Sequence, residues 1–191
     1  STFQDDAYGI IHRNGQKKAA YNVFKIYADM PEERVTVDWG DDWEAGKNVG
    51  VLASGNGNKA SVVLWNRTDE ERHISALLEA LPFTAGNVRW YRIDEHHASF
   101  LDGAPEELAA EGEEQAEGGE YLWEGVLPAY GVVYISLNEA GSDQGDFIPD
   151  QEYHFTGNDI RAHYYFEDRS KDNYSYFDRK KWKFFLGMFG A

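Results

Sequence analysis

The hydrophobic rhythm of the chain changes once. From residue 19 the order Ala-Ala-Tyr-Asn-Val-Phe-Lys-Ile-Tyr-Ala brings Ala20, Val23, Phe24, Tyr27 and Ala28 to one side, at the i, i+3, i+4, i+7 spacing of an amphipathic helix. The pattern predicts a helical segment over 14–30. The Arg13-Asn14-Gly15 turn signal opens it, and Asp29-Met30-Pro31 closes it, because proline disfavours helical geometry in the residue before it. Residues 1–11 start polar and end in Tyr8-Gly9-Ile10-Ile11, read as a strand end or a loop. After Pro31 the rhythm is that of strands. Alternation or short apolar runs mark 35–39, 48–54, 59–66, 87–94, 121–127 and 130–137. The segment 74–81 fits helix or strand by composition and is read as strand from its place in the series. Gly55-Asn56-Gly57-Asn58 predicts a hairpin between the runs on either side of it, and Pro128-Ala129 suggests that the last two runs pair in the same way. Residues 102–120, crowded with Glu, Ala and Gly, read as a mobile loop with one helical turn. Short strands at regular intervals, broken by Gly, Pro and Asn, predict an antiparallel β-sandwich. A lone helix ahead of such a series needs a surface for its apolar face. The expectation is that the chain is the tail of a larger protein whose preceding domain supplies that surface.

The segmentation that follows is 1–31 for the helix-containing end of that preceding domain, 32–138 for the sandwich, 139–159 for a linker and 160–191 for a β extension of three short segments. Charge separates the parts. The whole chain carries −16, while residues 160–191 carry about +3 and the remainder about −19. Such a body repels phosphates, which argues against nucleic acid or an anionic membrane as partner. The basic tail suits either docking on an acidic surface or plain solvation. With no cysteine among the 191 residues, disulfides, thiolate metal sites and cysteine nucleophiles are excluded. No apolar run is long enough to span a bilayer and no signal-peptide pattern is visible, so the compartment stays open between cytoplasm and export.

Candidate chemistry is sparse. The adjacent acid pairs Asp5-Asp6, Asp41-Asp42, Glu106-Glu107 and Glu113-Glu114 sit in polar stretches. Neighbours on extended backbone point apart, so adjacency does not make an acid/base pair. The same geometry separates His96 from His97 and favours hydrogen bonding or packing over shared metal ligation. Residues 142–146 offer oxygen donors without the spacing of a calcium loop. Asn66-Arg67-Thr68 and Asn173-Tyr174-Ser175 match the glycosylation sequon, a short pattern with many chance matches. Six tryptophans offer rings for sugar stacking: Trp39, Trp43, Trp65, Trp90, Trp123 and Trp182. Trp65, Trp90 and Trp123 fall within strand patterns and read as core. Trp43, in a Gly/Asp-rich loop, is the candidate sugar contact, with ordinary packing as the alternative. No residue is assigned a catalytic, cofactor-binding or metal-binding role.

The stretch from Asn14-Gly15 through Lys18-Ala19-Ala20-Tyr21-Asn22-Val23-Phe24-Lys25-Ile26-Tyr27-Ala28-Asp29-Met30-Pro31 resembles the last barrel helix of family 39 glycoside hydrolases, the β-xylosidase and α-L-iduronidase type. Val51-Leu52-Ala53-Ser54 and Lys59-Ala60-Ser61-Val62-Val63-Leu64-Trp65-Asn66 look like the first strands of their C-terminal β-sandwich. Leu81-Pro82-Phe83 and Tyr91-Arg92-Ile93-Asp94-Glu95-His96-His97 continue it in order. The resemblance covers roughly residues 8–137 and rests on order and spacing rather than on any single motif. It implies a mainly β fold: a sandwich preceded by one helix left from a (β/α)8 barrel, with a short C-terminal β extension. It also implies that the general-acid and nucleophile glutamates lie on barrel strands upstream of these residues. The chain would then brace a catalytic barrel, on the same protein or a companion chain, that hydrolyses β-xylosides or related polysaccharides without a cofactor. Val23, Phe24 and Tyr27 on the helix, with Arg92 and Asp94 on the sandwich, would form the barrel–sandwich interface. The alternative is a self-contained carbohydrate-binding or adhesion module.

Overall fold

A computed structural model describes residues 10–11, 16–40, 45–99 and 103–142. Two compact units divide the chain, residues 1–147 and 148–191. The linker, the C-terminal extension and Trp182 predicted from sequence lie outside the described residues, as does Trp43.

The first unit is mainly antiparallel β. Its elements run α1 (Ala19–Asp29), β1 (Glu33–Val35), α2 (Ala45–Asn48), β2 (Val49–Gly55), β3 (Lys59–Asn66), β4 (Arg72–Leu78), β5 (Ala85–Ile93), β6 (Ala110–Glu117), β7 (Tyr121–Leu127) and β8 (Val132–Glu139). Six strands form one sheet in the order β1-β2-β3-β8-β5-β6, and β4 with β7 forms a second. The predicted hairpin is β2–β3, with Val49 opposite Asn66 and Gly55 opposite Ala60. Its loop is held by the Asn56 carboxamide oxygen, which accepts from the backbone N–H groups of Asn58 and Lys59.

Alternation along the strands sorts side chains into two cores. Val62 and Leu64 of β3, Val88 of β5, and Val133, Ile135 and Leu137 of β8 point toward the two-stranded sheet, where they meet Trp123 and Leu127 of β7. Val63, Tyr91, Ile93 and Tyr134 point the other way and form a second core under α1, with Ile26. The central strands β3 and β8 are covered on both faces. Their near-continuous apolar runs follow from that, whereas β4 and β7 expose alternate residues on one face. The structure is therefore a sandwich with a helix laid on its outer face. Each fully buried Leu or Ile in these cores contributes about 2 kcal/mol of transfer free energy.

Three sequence expectations are corrected. First, 102–120 is not all loop. β6 pairs with β5 along its length, and its glutamates are tolerated because an edge strand leaves most of them in water. Second, β7 and β8 do not pair. They occupy different sheets, and the 128–131 turn carries the chain between layers with Tyr130 at φ 49°, a left-handed value that is costly for a residue with a Cβ. Third, α1 begins at Ala19 and its buried side is rotated from the one read off the sequence. Asn22 and Ile26 are fully buried and Val23 half-buried, while Phe24 and Tyr27 remain 60% and 45% exposed. The rotation follows from Asn22, whose Nδ2 donates to the backbone carbonyls of Ala98 and Glu106, both at 2.8 Å. A polar residue whose amide finds two backbone acceptors can sit inward. The sheet thus supplies a surface for the helix within the chain.

Tryptophan placement relies on close approach to glycine. Trp65 lies opposite Gly50, and a Cβ added there would come within 1.9 Å of the indole. Trp90 lies opposite Gly112 with the same 1.9 Å clearance. Each ring can lie flat across the neighbouring strand because that strand has no side chain there. Trp123 is buried in the inner core and Trp90 is half-buried against it, as their strand positions predict. Trp65 is half-buried in the core under α1.

Candidate functional site

The candidate site lies where β5 ends and the segment leading to β6 begins. At its centre is an irregularity in the sheet. The β5–β6 register steps from Trp90 opposite Gly112 to Tyr91 opposite Ala110, which leaves Glu111 as the extra residue of a β-bulge. A bulge twists its strand and re-aims the side chain it carries. Here the Glu111 carboxylate receives Arg92 Nη2 at 2.6 Å and lies 3.1 Å from His97 Nε2.

The other ring nitrogen of His97 lies 2.7 Å from Asp94 Oδ1, which also accepts the backbone N–H of His96 at 2.8 Å. Asp94 Oδ2 lies 4.0 Å from Arg92 Nη1. Arg92, Glu111, His97 and Asp94 therefore close a ring of alternating charge and hydrogen-bonding groups. The Asp94 side chain is only 8% exposed, and Arg92 is 33% exposed. Arg92 and Asp94, expected from sequence at an interface with a barrel, stand here 4.0 Å apart within the sandwich, and His97, expected to hydrogen-bond or pack, does hydrogen-bond; Glu111 has no role in the sequence analysis. The local signal for His97 was its position three residues after Asp94. No local signal marks Glu111, because a bulge depends on register with a distant strand.

This ring is tied to α1. Ala98, next in the chain, takes φ 53° and presents its carbonyl to Asn22. Lys17, just ahead of the helix, forms an ion pair with Glu107, and its backbone N–H donates to Glu106 Oε2 at 2.7 Å. At the far end of the helix, Asp29 Oδ2 accepts from the Tyr134 hydroxyl at 2.6 Å and pairs with Lys59 Nζ at 2.7 Å. Burial pushes the Tyr134 phenol far above its usual range, and the Asp29 carboxylate adds to the shift. Val23 faces the sheet, whereas Phe24 and Tyr27 face away from it.

Chemically, both carboxylates of the ring are engaged by Arg92 and His97, so the ring joins the end of β5 and the turn at 94–97 to the bulge of β6. Among the described residues no group of three or more His, Asp or Glu is arranged to hold a metal ion. Nor is any helix there long and apolar enough to cross a membrane. The Asn66 sequon is structurally occupied. Asn66 is 5% exposed, and its Nδ2 donates to the carbonyls of Glu70 and Pro128 at 2.7 and 3.0 Å.

No protein-family model matches the chain. No curated protein matches it either. Solved structures do. A monomeric β-xylosidase from Caulobacter crescentus CB15 superposes with a TM-score of 0.54 at 17% identity, over 70% of this chain and 33% of its own. The GH39 enzyme of Xanthomonas axonopodis pv. citri matches at 0.53 and 14% identity, over 69% of this chain and 32% of its own. A glucosidase from Croceicoccus marinus matches at 0.52 and 15% identity, over 71% and 34%. The chain spans about a third of the length of each. At these identities the likeness is one of fold. The fold is one that glycoside hydrolases carry as a part of their length, and it fits the C-terminal, GH39-like part that the sequence resembles.

Proposed function

We infer that the chain is the non-catalytic β-sandwich portion of a glycoside hydrolase acting on β-xylosides or related polysaccharides, and that it braces a catalytic (β/α)8 barrel. The observation that carries this reading is the two-sided character of α1. One side is anchored to the sheet by Asn22, Val23 and Ile26, and the other turns Phe24 and Tyr27 outward. A helix fixed this firmly on one side and aromatic on the other suits the seam between two layers of a larger protein. On this reading α1 belongs to the barrel as its last helix, and Arg92 and Asp94 stiffen the sandwich beside it. The glycosidase activity of the matched structures enters as support for the substrate class.

The test is to assay the purified chain on aryl β-xylosides. No turnover above buffer is expected. Steady turnover that survives repeated purification overturns the reading. The same preparation, titrated with xylo-oligosaccharides, examines the alternative of a self-contained carbohydrate-binding module, which requires saturable binding by the chain alone.

A further inference from the structure

The second sheet has two strands, and among the described residues β7 pairs with β4 on one edge and with nothing on the other. A cavity of about 360 Å³ runs along that edge. It is lined by six consecutive residues of β7, Tyr121 through Val126, with Trp90, Arg92, Glu114 and Val133 across from them. Successive residues of a strand point to opposite faces, so a cavity touching all six follows the edge of the strand rather than either face. What it meets there is backbone: a row of N–H and C=O groups not used by β4.

The other sheet treats its edges differently. β1 is three residues long, and β6 carries Glu111, Glu113, Glu114 and Glu117. Shortness and charge both discourage a further strand from pairing. β7 has seven residues, Tyr-Leu-Trp-Glu-Gly-Val-Leu, without proline, lysine or bulge. Gly125 within it makes room for the Trp123 ring, which a Cβ there would meet at 2.4 Å.

We propose that the free edge of β7 receives an added strand, and that its occupant is an extended peptide segment from outside these 191 residues with apolar and basic residues in alternation. One face of such a strand meets Trp90 and Trp123, which demands apolar residues at every second position. The other face meets Glu124, whose carboxylate accepts from the Ser75 hydroxyl at 3.1 Å and stays exposed, while Arg92, paired with Glu111 at 2.6 Å, stands on the Trp90 side of the groove. A second copy of the chain fits poorly. Symmetric pairing of two β7 strands brings Glu124 toward its own copy, and each chain carries −16. The proposal stands apart from the glycosidase reading, since it concerns the edge chemistry alone.

The experiment titrates the full chain with an end-blocked peptide alternating Val and Lys, and with a peptide of the same composition in two blocks. Heteronuclear NMR and amide exchange provide the readouts. The alternating peptide is expected to saturate and to slow exchange of alternate β7 amides roughly tenfold or more. Glu124→Lys, on an exposed face, is expected to weaken binding about tenfold with an unchanged melting temperature. Four results each overturn the proposal: equal binding of the block peptide, no binding of the alternating one, β7 amides already fully protected in the free chain, or displacement of the peptide by xylo-oligosaccharide.

Discussion

The hydroxyl of Tyr134, on the fully covered strand β8, donates to Asp29 Oδ2 at 2.6 Å across 105 positions of sequence. Asp29 ends α1, where the helix dipole disfavours a carboxylate, and Lys59 at 2.7 Å offsets that cost. This contact locks the C-terminal end of the helix to the centre of the sheet. Tyr134→Phe keeps the packing and removes the donor. It is expected to lower stability by about 1–2 kcal/mol, read from urea unfolding.

The same phenol sets an alkaline limit. Burial raises Tyr134 first and Asp29 second, and burial with Glu114 raises Tyr121 in the same direction. Both groups hold their protons in the folded state at pH values where the unfolded chain, with tyrosines near about pH 10, releases them. Their contribution is therefore complete below about pH 10 and falls as pH rises beyond it. Stability measured against pH is expected to decline above that point, and Tyr134→Phe is expected to flatten the decline.

Asn22 is buried, and its amide donates to the backbone carbonyls of Ala98 and Glu106. Asn22→Ala leaves both acceptors without that donor. A loss of roughly 2 kcal/mol is expected, with faster amide exchange confined to α1 and the residues around Ala98 and Glu106.

A methyl group at Gly112 would meet the Trp90 ring at 1.9 Å. Gly112→Ala is expected to cost about 1–3 kcal/mol through displacement of the indole. In a double-mutant cycle with Trp90→Leu the cost should shrink by more than about 1 kcal/mol, because the clash depends on the ring. Additive effects would show that the two residues do not share the site.

Asn66 spends its amide on Glu70 and Pro128, and its oxygen accepts from the Thr68 backbone N–H and hydroxyl at 3.0 and 2.8 Å. All three residues of the sequon thus belong to a turn that is part of the fold. Expressed through a glycosylating secretory pathway, the folded chain is expected to carry no glycan at Asn66, as read by peptide mass mapping.

Sequence alone determined what depends on near neighbours. The 3.6-residue rhythm announced α1, period-two alternation announced most strands, and the Gly55–Asn58 cluster announced the β2–β3 hairpin, because each signal is complete within a few residues. The order of those signals also carried the likeness to a glycosidase sandwich. Tertiary structure decided whatever depends on distant partners. Which side of α1 is buried turned on two carbonyls at Ala98 and Glu106 that let Asn22 face inward and left Phe24 outside. The strand identity of β6 turned on pairing with β5, which overrode a composition of Glu, Ala and Gly. Arg92 and Asp94 lie two residues apart, so their nearness is a local property. That of Glu111 is not, since only the register of two strands creates the bulge that aims it at them. Local propensity is a property of a few neighbouring side chains, whereas burial and register belong to the whole sheet, and the site is made from the second kind.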